Sequence, residues 1–380
     1  LYHRDAGGPM VLATTGYGLP NPKSLQEPTL LLAGANQLTV EQRFFGPSRP
    51  EPPDWSKLTI YQAATDHHRI VEALRPLYPG SWASTGASKG GMTSVYHRRF
   101  YPGDVDATVA YVAPHNLAAL DDRYTPFVDG LGASACAQAL RDVQADALAR
   151  RAALVDLLAK YADNEGVSFD RLGLDRVVEF SVLESRFVFW QYGGADGCVG
   201  VPTAQASDAE VFAFLDGVAP WRGFGDELLD YYGPYYYQAA TQLGAPEVDE
   251  DHLGELRLYP GEDVPALYAP EGAPIVFDDD AMPDIASWLN GAREPVMFVY
   301  GGGDPWTAAA FDPGGATAAP VYFVADGNHG SKLTDLAMDD FDEALALLRS
   351  WTGVADAAPA ELLRSRARAA EAPAFRHARP

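Results

Sequence analysis

The sequence predicts an α/β fold in which a mostly parallel sheet is interrupted by a large helical insertion. Short apolar runs alternate with helix-like segments in the first third of the chain and again near its end, a pattern typical of a parallel sheet. Between these parts, residues 117–292 contain long stretches with helical periodicity and few strand-like runs. We therefore expect a sheet domain formed by residues 1–116 and 293–380, with residues 117–292 inserted as a helical lid.

Composition narrows the class of protein. The 380 residues are 47% hydrophobic and 21% charged, which is typical of a globular chain. The formal net charge of −24 disfavours binding to nucleic acid. No apolar stretch reaches the roughly 18 residues that span a bilayer, so we expect no membrane contact. The sequence contains no metal-ligand cluster and no nucleotide-binding loop, so we expect no metal and no cofactor. We also expect a monomer.

The first third contains the clearest strand and helix signals. Apolar runs predict strands, and apolar residues recurring at helical spacing predict helices. A further apolar run covers residues 29–33. Strands are predicted at residues 10–15, 38–45, 82–85 and 105–113, and helices at residues 59–75 and 89–100.

The rest of the chain begins with helical segments and ends with strand and helix signals that alternate again. Helical periodicity covers residues 135–161 and 177–190, and residues 230–243 are rich in tyrosine. The alternation returns with predicted strands at residues 295–300 and 320–325. An amphipathic helix is predicted at residues 333–351, with apolar side chains on one face.

One motif points to chemistry. Gly86-Ala87-Ser88-Lys89-Gly90 matches G-x-S-x-G, which places a serine on a sharp turn between a strand and a helix. A predicted strand precedes the motif and a predicted helix follows it, so a chance surface turn is the weaker interpretation. The motif predicts an α/β-hydrolase fold with Ser88 as nucleophile and the backbone N–H of Lys89 as an oxyanion donor.

A serine nucleophile needs a base and an acid that orients the base. His329 lies in a Gly-rich loop directly after a predicted strand and before the last amphipathic helix. Asp304 follows another apolar strand and lies between Ser88 and His329 in chain order, as in α/β-hydrolases. Asp312 and Asp326 are the alternatives for the acid, and both are typical of turns.

A second oxyanion donor is expected from the loop after an early strand. Gly16-Tyr17-Gly18 fits that position, with the backbone of Tyr17 or Gly18 as donor. An ordinary glycine turn is the alternative interpretation.

The two cysteines, Cys136 and Cys198, have neither metal-ligand spacing nor a place in a nucleophile motif. A disulfide between them would close a long loop and contribute roughly 3–4 kcal/mol in the chain-entropy model. Two buried free thiols are the alternative. We expect the disulfide, because other features of the sequence indicate an extracellular location, where disulfides persist.

Several segments carry a resemblance to a known family. Residues 86–93 (GASKGGMT), 41–45 (EQRFF), 303–306 (GDPW) and 327–329 (GNH) resemble secreted bacterial prolyl tri- and tetrapeptidyl aminopeptidases. They are also similar to the related prolylcarboxypeptidases and dipeptidyl peptidases. The resemblance implies a secreted serine exopeptidase that acts after proline on peptides with a free N-terminus. It also implies Ser88, Asp304 and His329 as the catalytic triad.

Such specificity has physical requirements. A proline pocket needs apolar or aromatic walls, for which Trp306, Trp190 and Tyr192 are candidates, with the Tyr231–Tyr237 cluster a weaker one. A free ammonium group needs a carboxylate, for which Glu184 and Glu41 are candidates. Each of these residues has a structural alternative: the aromatic side chains in a core, the glutamates in ion pairs with Arg186 or Arg43.

Two other functions use the same sequence features. A carboxylesterase or lipase would use the same triad, although the acidic, Tyr-rich insertion is unlike an apolar lid. A catalytically inactive α/β-hydrolase that binds a partner is the alternative of another class, and the intact Ser88, Asp304 and His329 argue against it.

Overall fold

The computed structural model describes residues 1–20, 24–247, 251–355 and 360–370. The predicted sheet domain included residues 371–380, which lie outside the described part. The strands are β1 (Met10–Thr14), β2 (Asn36–Val40), β3 (Trp82–Ala87), β4 (Ala107–Tyr111), β5 (Leu120–Asp121), β6 (Ala245–Pro246), β7 (Val296–Gly301) and β8 (Val321–Val324).

Helices alternate with the strands of the six-stranded sheet and form most of residues 124–290. Short 3₁₀ turns separate several of them. They are α1 (Glu27–Leu31), α2 (Ile60–Leu74), α3 (Lys89–Phe100), α4 (Tyr124–Asp129), α5 (Ser134–Ala149), α6 (Arg151–Glu165), α7 (Leu174–Tyr192), α8 (Asp208–Val218), α9 (Asp226–Gln238), α10 (Pro265–Tyr268), α11 (Ala281–Asn290), α12 (Met338–Thr352) and α13 (Ala360–Ala370).

The chain folds as two compact units. The first contains Leu1–Leu117, Phe277–Gly302 and the described residues from Ala309 onward, and the second contains Ala118–Val276 with Gly303–Ala308. Helix α11, which the sequence analysis placed in the insertion, belongs to the first unit and packs on α3. The predicted division at residues 116 and 293 otherwise stays a prediction.

The first unit is built on a six-stranded sheet in the order β2-β1-β3-β4-β7-β8. Every neighbouring pair is parallel. Strands β1, β4 and β7 are buried along their whole length, as expected for parallel strands covered on both faces. Because all six strands run the same way, their carboxyl ends form one edge of the sheet, and this arrangement is an α/β-hydrolase fold.

The second unit is helical and has its own apolar core. Residues from α5, α6, α7 and α8 meet there, among them Leu140, Leu154, Phe180 and Leu215. A disulfide joins Cys136 at the start of α5 to Cys198. No helix of the described residues has the length and apolar character needed to cross a membrane.

Two segments differ from the helices and strands suggested by the sequence. Residues 135–161 form two helices instead of one, because Arg150 leaves the helical conformation (φ −102°, ψ 21°) and binds Asp146 and Asp208. The apolar run at residues 29–33 belongs mainly to the short helix α1 rather than to a strand.

Candidate active site

Ser88 stands on a strained turn between β3 and α3. Its φ of 54° and ψ of −128° lie in a region that residues with a side chain rarely adopt. The turn is tight, since a Cβ at Gly86 would come within 2.4 Å of the backbone of Gly90. The N–H of Ser88 donates to the carbonyl of Tyr111 in β4 at 2.8 Å, and the residue is half-buried. Glycine packing and backbone hydrogen bonds to Tyr111 and Met92 hold this strained turn at the carboxyl edge of the sheet.

The backbone N–H of Lys89 lies at the start of α3, directly after Ser88. The first N–H groups of a helix have no acceptor within the helix, and they face partial negative charge favourably. The role of this N–H group as an oxyanion donor stays a prediction.

The loop after β1 is held from two sides. The carbonyl of Gly16 accepts a hydrogen bond from Lys89 Nζ at 2.9 Å. The carbonyl of Tyr17 accepts from the N–H of Gln42 at 3.0 Å and from the Thr15 hydroxyl at 2.7 Å. The Gly16 carbonyl shares a peptide group with the Tyr17 N–H, and the Tyr17 carbonyl shares one with the Gly18 N–H. Hydrogen bonds to the carbonyls therefore fix both candidates for the second oxyanion donor.

His329 lies on a tight loop after β8. The carbonyl of Asn328 accepts from the N–H of Ser331 at 3.0 Å and from its hydroxyl at 2.7 Å. The loop lies against the end of β7, since a Cβ at Gly301 would come within 2.4 Å of the Asn328 carbonyl oxygen. His329 is half-buried at the same sheet edge as Ser88.

A buried glutamate fixes the segment that follows this loop. Glu27 accepts from the N–H of Leu333 at 3.0 Å, from the N–H of Thr334 at 2.9 Å and from the Tyr111 hydroxyl at 2.8 Å. Burial is the largest influence on the Glu27 carboxyl and raises its pKa, while the donors lower it. Glu27 thereby ties β4 to the chain just beyond His329.

Asp304 is fully buried three positions after the end of β7. Its Oδ1 accepts from the N–H of Trp306 at 3.1 Å. A buried carboxylate is costly unless it is paired, so its burial indicates a specific role. The alternatives Asp312 and Asp326 are exposed, and Asp312 accepts from the N–H of Gly314 in a turn. The assignment of the triad to Ser88, Asp304 and His329 stays a prediction.

The second unit contains a cavity of about 170 Å³ whose walls combine aromatic, aliphatic and proline side chains with a few charged groups. Three carboxylates, Glu184, Glu247 and Asp263, also line it. Trp306 lies with its ring centroid 5.1 Å from that of Phe187 and 5.8 Å from that of Tyr124. The aromatic lining residues include Tyr124, Phe187, Tyr192, Tyr235, Tyr268 and Trp306. A small apolar ring would therefore meet aromatic faces here, close to negative charge.

The predicted substrate-binding residues separate into two groups. Glu184, Tyr192 and Trp306 line the cavity. Trp190 does not; it is buried in the core of the second unit, packed on Phe189 with a centroid separation of 5.3 Å. The Trp190 ring packs against Gly132, where an added Cβ would lie 2.3 Å from the ring.

Glu41 has a structural partner in the first unit. It accepts from the Ser48 hydroxyl at 2.7 Å and from the N–H of Leu19 at 3.4 Å. Arg43, expected as a partner for a glutamate, instead forms an ion pair with Asp66 at 2.7 Å. These contacts favour an interpretation in which Glu41 holds loops together.

Several lining residues were not predicted from the sequence. Tyr124, Phe187, Glu247 and Asp263 carry no motif, whereas Tyr235 and Tyr236 belong to the Tyr231–Tyr237 cluster. Burial, followed by the nearby charge of Glu184, raises the pKa of Tyr235 to about 12. The negative charge of Glu184 is therefore felt inside the cavity. In the described ranges no group of His, Cys, Asp and Glu is placed to hold a metal ion.

Comparison with known proteins gives one family match and one clear relative. The family model described as PS-10 peptidase S37 matches residues 1–377. The chain is 43% identical over 360 residues to the prolyl tri/tetrapeptidyl aminopeptidase of Streptomyces mobaraensis, covering 93% of this chain and 75% of that protein.

Two solved structures are among those with a similar fold. Proline iminopeptidase of Mycobacterium smegmatis is 14% identical, with a TM-score of 0.39 over 97% of this chain and 93% of that one. A proline iminopeptidase-related protein of Thermus thermophilus is 15% identical, with a TM-score of 0.39 over 92% of this chain and 91% of that one. At these values the two structures add nothing to the assignment of individual site residues.

Proposed function

The chain belongs to the PS-10 peptidase S37 family of serine peptidases, and from this premise we propose that it releases tri- and tetrapeptides after proline from free peptide N-termini. The observation that carries the proposal is the strained conformation of Ser88 at the β3–α3 turn. Strain at a non-glycine residue persists only where the surroundings hold it, and it is found mostly at functional sites. The 43% identity to a protein named for this activity supports the substrate class.

The proposed reaction is acyl transfer to Ser88. As the Ser88 oxygen attacks the proline carbonyl carbon, the His329 imidazole takes the hydroxyl proton, and Asp304 stabilises the imidazolium. The tetrahedral intermediate collapses, the C–N bond breaks, and the imidazolium gives its proton to the leaving amine. Water, deprotonated by His329, then attacks the acyl-enzyme and releases the peptide acid and the Ser88 hydroxyl.

The aromatic cavity of the second unit supports the preference for proline. A proline ring offers no N–H group, so flat apolar walls suit it better than polar ones. Trp306 lines this cavity and donates its backbone N–H to Asp304, the proposed acid. Within the second unit, Trp306 thus contributes both to a cavity wall and to a hydrogen bond with Asp304.

The free N-terminus of the substrate needs a negative partner. Glu184 lines the same cavity, and its charge already affects Tyr235. A carboxylate and an ammonium group form a charge-assisted hydrogen bond, which is about twice as strong as a neutral one. We infer that Glu184 contributes to recognition of the substrate N-terminus.

The proposal includes an extracellular location. The Cys136–Cys198 disulfide would persist in an oxidising compartment and would be reduced in most cytosols. To test this, cells that express the untagged protein are separated from their medium, and peptidase activity is measured in both fractions.

A pair of matched substrates tests the function. One is a free-amine tripeptide p-nitroanilide ending in proline, and the other is the same compound acetylated at its N-terminus. We expect the wild-type protein to cleave the free amine only and Ser88→Ala to cleave neither. Turnover of p-nitrophenyl esters without cleavage of either p-nitroanilide would instead support an esterase.

A further inference from the structure

Lys89 is a buried basic side chain directly after the proposed nucleophile. It is 3% exposed, its Nζ donates to the Gly16 carbonyl at 2.9 Å, and it lies 5.8 Å from the Tyr17 ring centroid. No carboxylate of the described ranges forms an ion pair with it. The ammonium group is thus held by one carbonyl and one aromatic ring.

This arrangement is unfavourable for folding. Removing an ammonium group from water is costly when no carboxylate is present to offset the loss. Burial accordingly lowers the pKa of Lys89 to about 7. An unbranched apolar side chain of similar length would fill the same space without this cost, so stability alone does not account for a lysine here.

The geometry of the peptide group suggests what the lysine does. The carbonyl of Gly16 and the N–H of Tyr17 belong to one planar peptide group, which is trans, so the two point in opposite directions. A bond from Lys89 to the carbonyl therefore fixes the direction of the Tyr17 N–H. It also polarises the peptide group, because hydrogen bonds in a chain strengthen one another.

Contacts around Gly16 keep this peptide close to the elbow. A Cβ at Gly16 would come within 2.5 Å of Lys89 Cβ and within 2.9 Å of the Gly90 backbone nitrogen. The loop therefore packs directly on the first turn of α3. The Lys89 side chain follows the same path and ends at the Gly16 carbonyl.

We propose that Lys89 is a positioning residue whose side chain holds the Gly16–Tyr17 peptide group so that the Tyr17 N–H serves as the second oxyanion donor. Lys89 then acts twice: its own backbone N–H is the first donor, and its side chain orients the second. The proposal rests on the proposed function only in that Ser88 is the nucleophile of an acyl transfer.

Lys89→Met is the main test, because it removes the donor while keeping an unbranched side chain. Loss of one oxyanion donor costs about 10²–10³-fold in kcat. Since the Tyr17 N–H is still present in the variant but less well oriented, we expect kcat to fall about 10–100-fold, with KM changed less than about two-fold. The melting temperature should stay the same or rise, because an apolar group replaces a buried charge.

Thr93→Val is the matched control. The Thr93 hydroxyl is buried and donates to the carbonyl of Lys89 at 2.9 Å, one turn further along α3. Its loss disturbs the same helix without touching the Gly16–Tyr17 peptide group. We expect its kcat to stay within about three-fold of wild type.

The rate of Ser88 labelling by a fluorophosphonate separates this proposal from the proposed function. Labelling places negative charge on a phosphonyl oxygen and requires no proline specificity. We expect Lys89→Met to be labelled about 10-fold more slowly than Thr93→Val. If the wild type is labelled but cleaves no prolyl substrate, the substrate proposal fails while the labelling comparison still decides the role of Lys89.

Equal labelling and equal kcat in Lys89→Met and Thr93→Val would overturn the proposal. Should Lys89→Met fail to fold, Lys89→Gln, which keeps a polar but shorter side chain, is measured in the same way. Unfolding of both variants would also overturn it, because the lysine would then be required by the fold itself.

Discussion

The two units of the molecule hold their polar groups in different ways. In the first unit, Ser88 and His329 stand on short loops at the ends of parallel strands, and the backbone of those loops is fixed by glycine packing and hydrogen bonds. In the second unit, Glu184 and the aromatic walls of the cavity are placed by packing between helices. The sheet thus positions reacting groups by backbone geometry, whereas the helices shape a surface by side-chain volume.

The largest expected effect concerns Asp304. Asp304→Asn should lower kcat about 10⁴-fold, because a neutral amide cannot stabilise the imidazolium and favours the wrong tautomer of the base. Asp312→Asn, which changes the exposed alternative, should stay within about two-fold of wild type. Steady-state kinetics on the prolyl p-nitroanilide measure both, and an equal loss in Asp312→Asn would contradict the assignment.

The second effect is the pH dependence of stability due to Lys89. Its folded pKa of about 7 is below the ordinary value of about 10.4. Between these values the unfolded chain binds a proton that the folded chain does not, so the stability of the wild type rises with pH. The stability of Lys89→Met lacks this dependence on pH. Its excess stability over the wild type should therefore be greatest below pH 7 and shrink toward pH 10.

The difference in unfolding free energy between wild type and Lys89→Met should change by on the order of 5 kcal/mol over the whole pH window. Urea unfolding of wild type, Lys89→Met and Thr93→Val at pH 6, 8 and 10 measures it. The difference between wild type and Thr93→Val should not depend on pH. A constant difference for Lys89→Met as well would mean that the lysine is not buried as an unpaired cation.

Removal of the disulfide tests what stabilises the helical unit. Replacing Cys136 and Cys198 by serine should destabilise this unit by about 3–4 kcal/mol in the chain-entropy model. Hydrogen exchange should show faster opening of α5 and residues 195–200, while β3, β4 and β7 keep their protection. Equal loss of protection in the sheet would show that the two units unfold as one, and reduction of the wild type with dithiothreitol provides the control.

Substitution of Glu27 tests what stabilises the unit that contains the six-stranded sheet. Glu27→Ala leaves the Tyr111 hydroxyl and the N–H groups of Leu333 and Thr334 without their acceptor. The expected cost is about 3 kcal/mol, measured by urea unfolding. Glu72→Ala, at an exposed position on α2, should cost less than about 0.5 kcal/mol. A cost for Glu27→Ala as small as this would mean that water replaces the carboxylate.

The smallest effect concerns substrate selection. Glu184→Gln removes the charge that would meet the substrate ammonium group, so KM for the free-amine substrate should rise about 10-fold with kcat little changed. Glu165→Gln, at the exposed end of α6, should leave KM as it is. If both variants behave alike, the ammonium group is bound elsewhere, and Glu247 and Asp263 become the next residues to change.

The sequence by itself determined the features that are encoded in contiguous residues. The elbow around Ser88 needs only a strand end, two glycines and a helix start, and all of these lie within residues 82–100. The Gly-rich loop that carries His329 and the mostly parallel character of the sheet could be predicted for the same reason. A buried strand followed by a Gly-rich turn is a local signal that does not depend on distant partners.

Only the tertiary structure decided which side chains share a cavity. Trp190 and Tyr192 are two positions apart on α7, yet the first lies in the core and the second lines the cavity. Tyr124 and Trp306 come together from distant parts of the chain. The direction of the Lys89 side chain was equally hidden, since its partner Gly16 lies 73 positions away. Packing depends on the volumes of all neighbours at once, and a single sequence does not state which neighbours will meet.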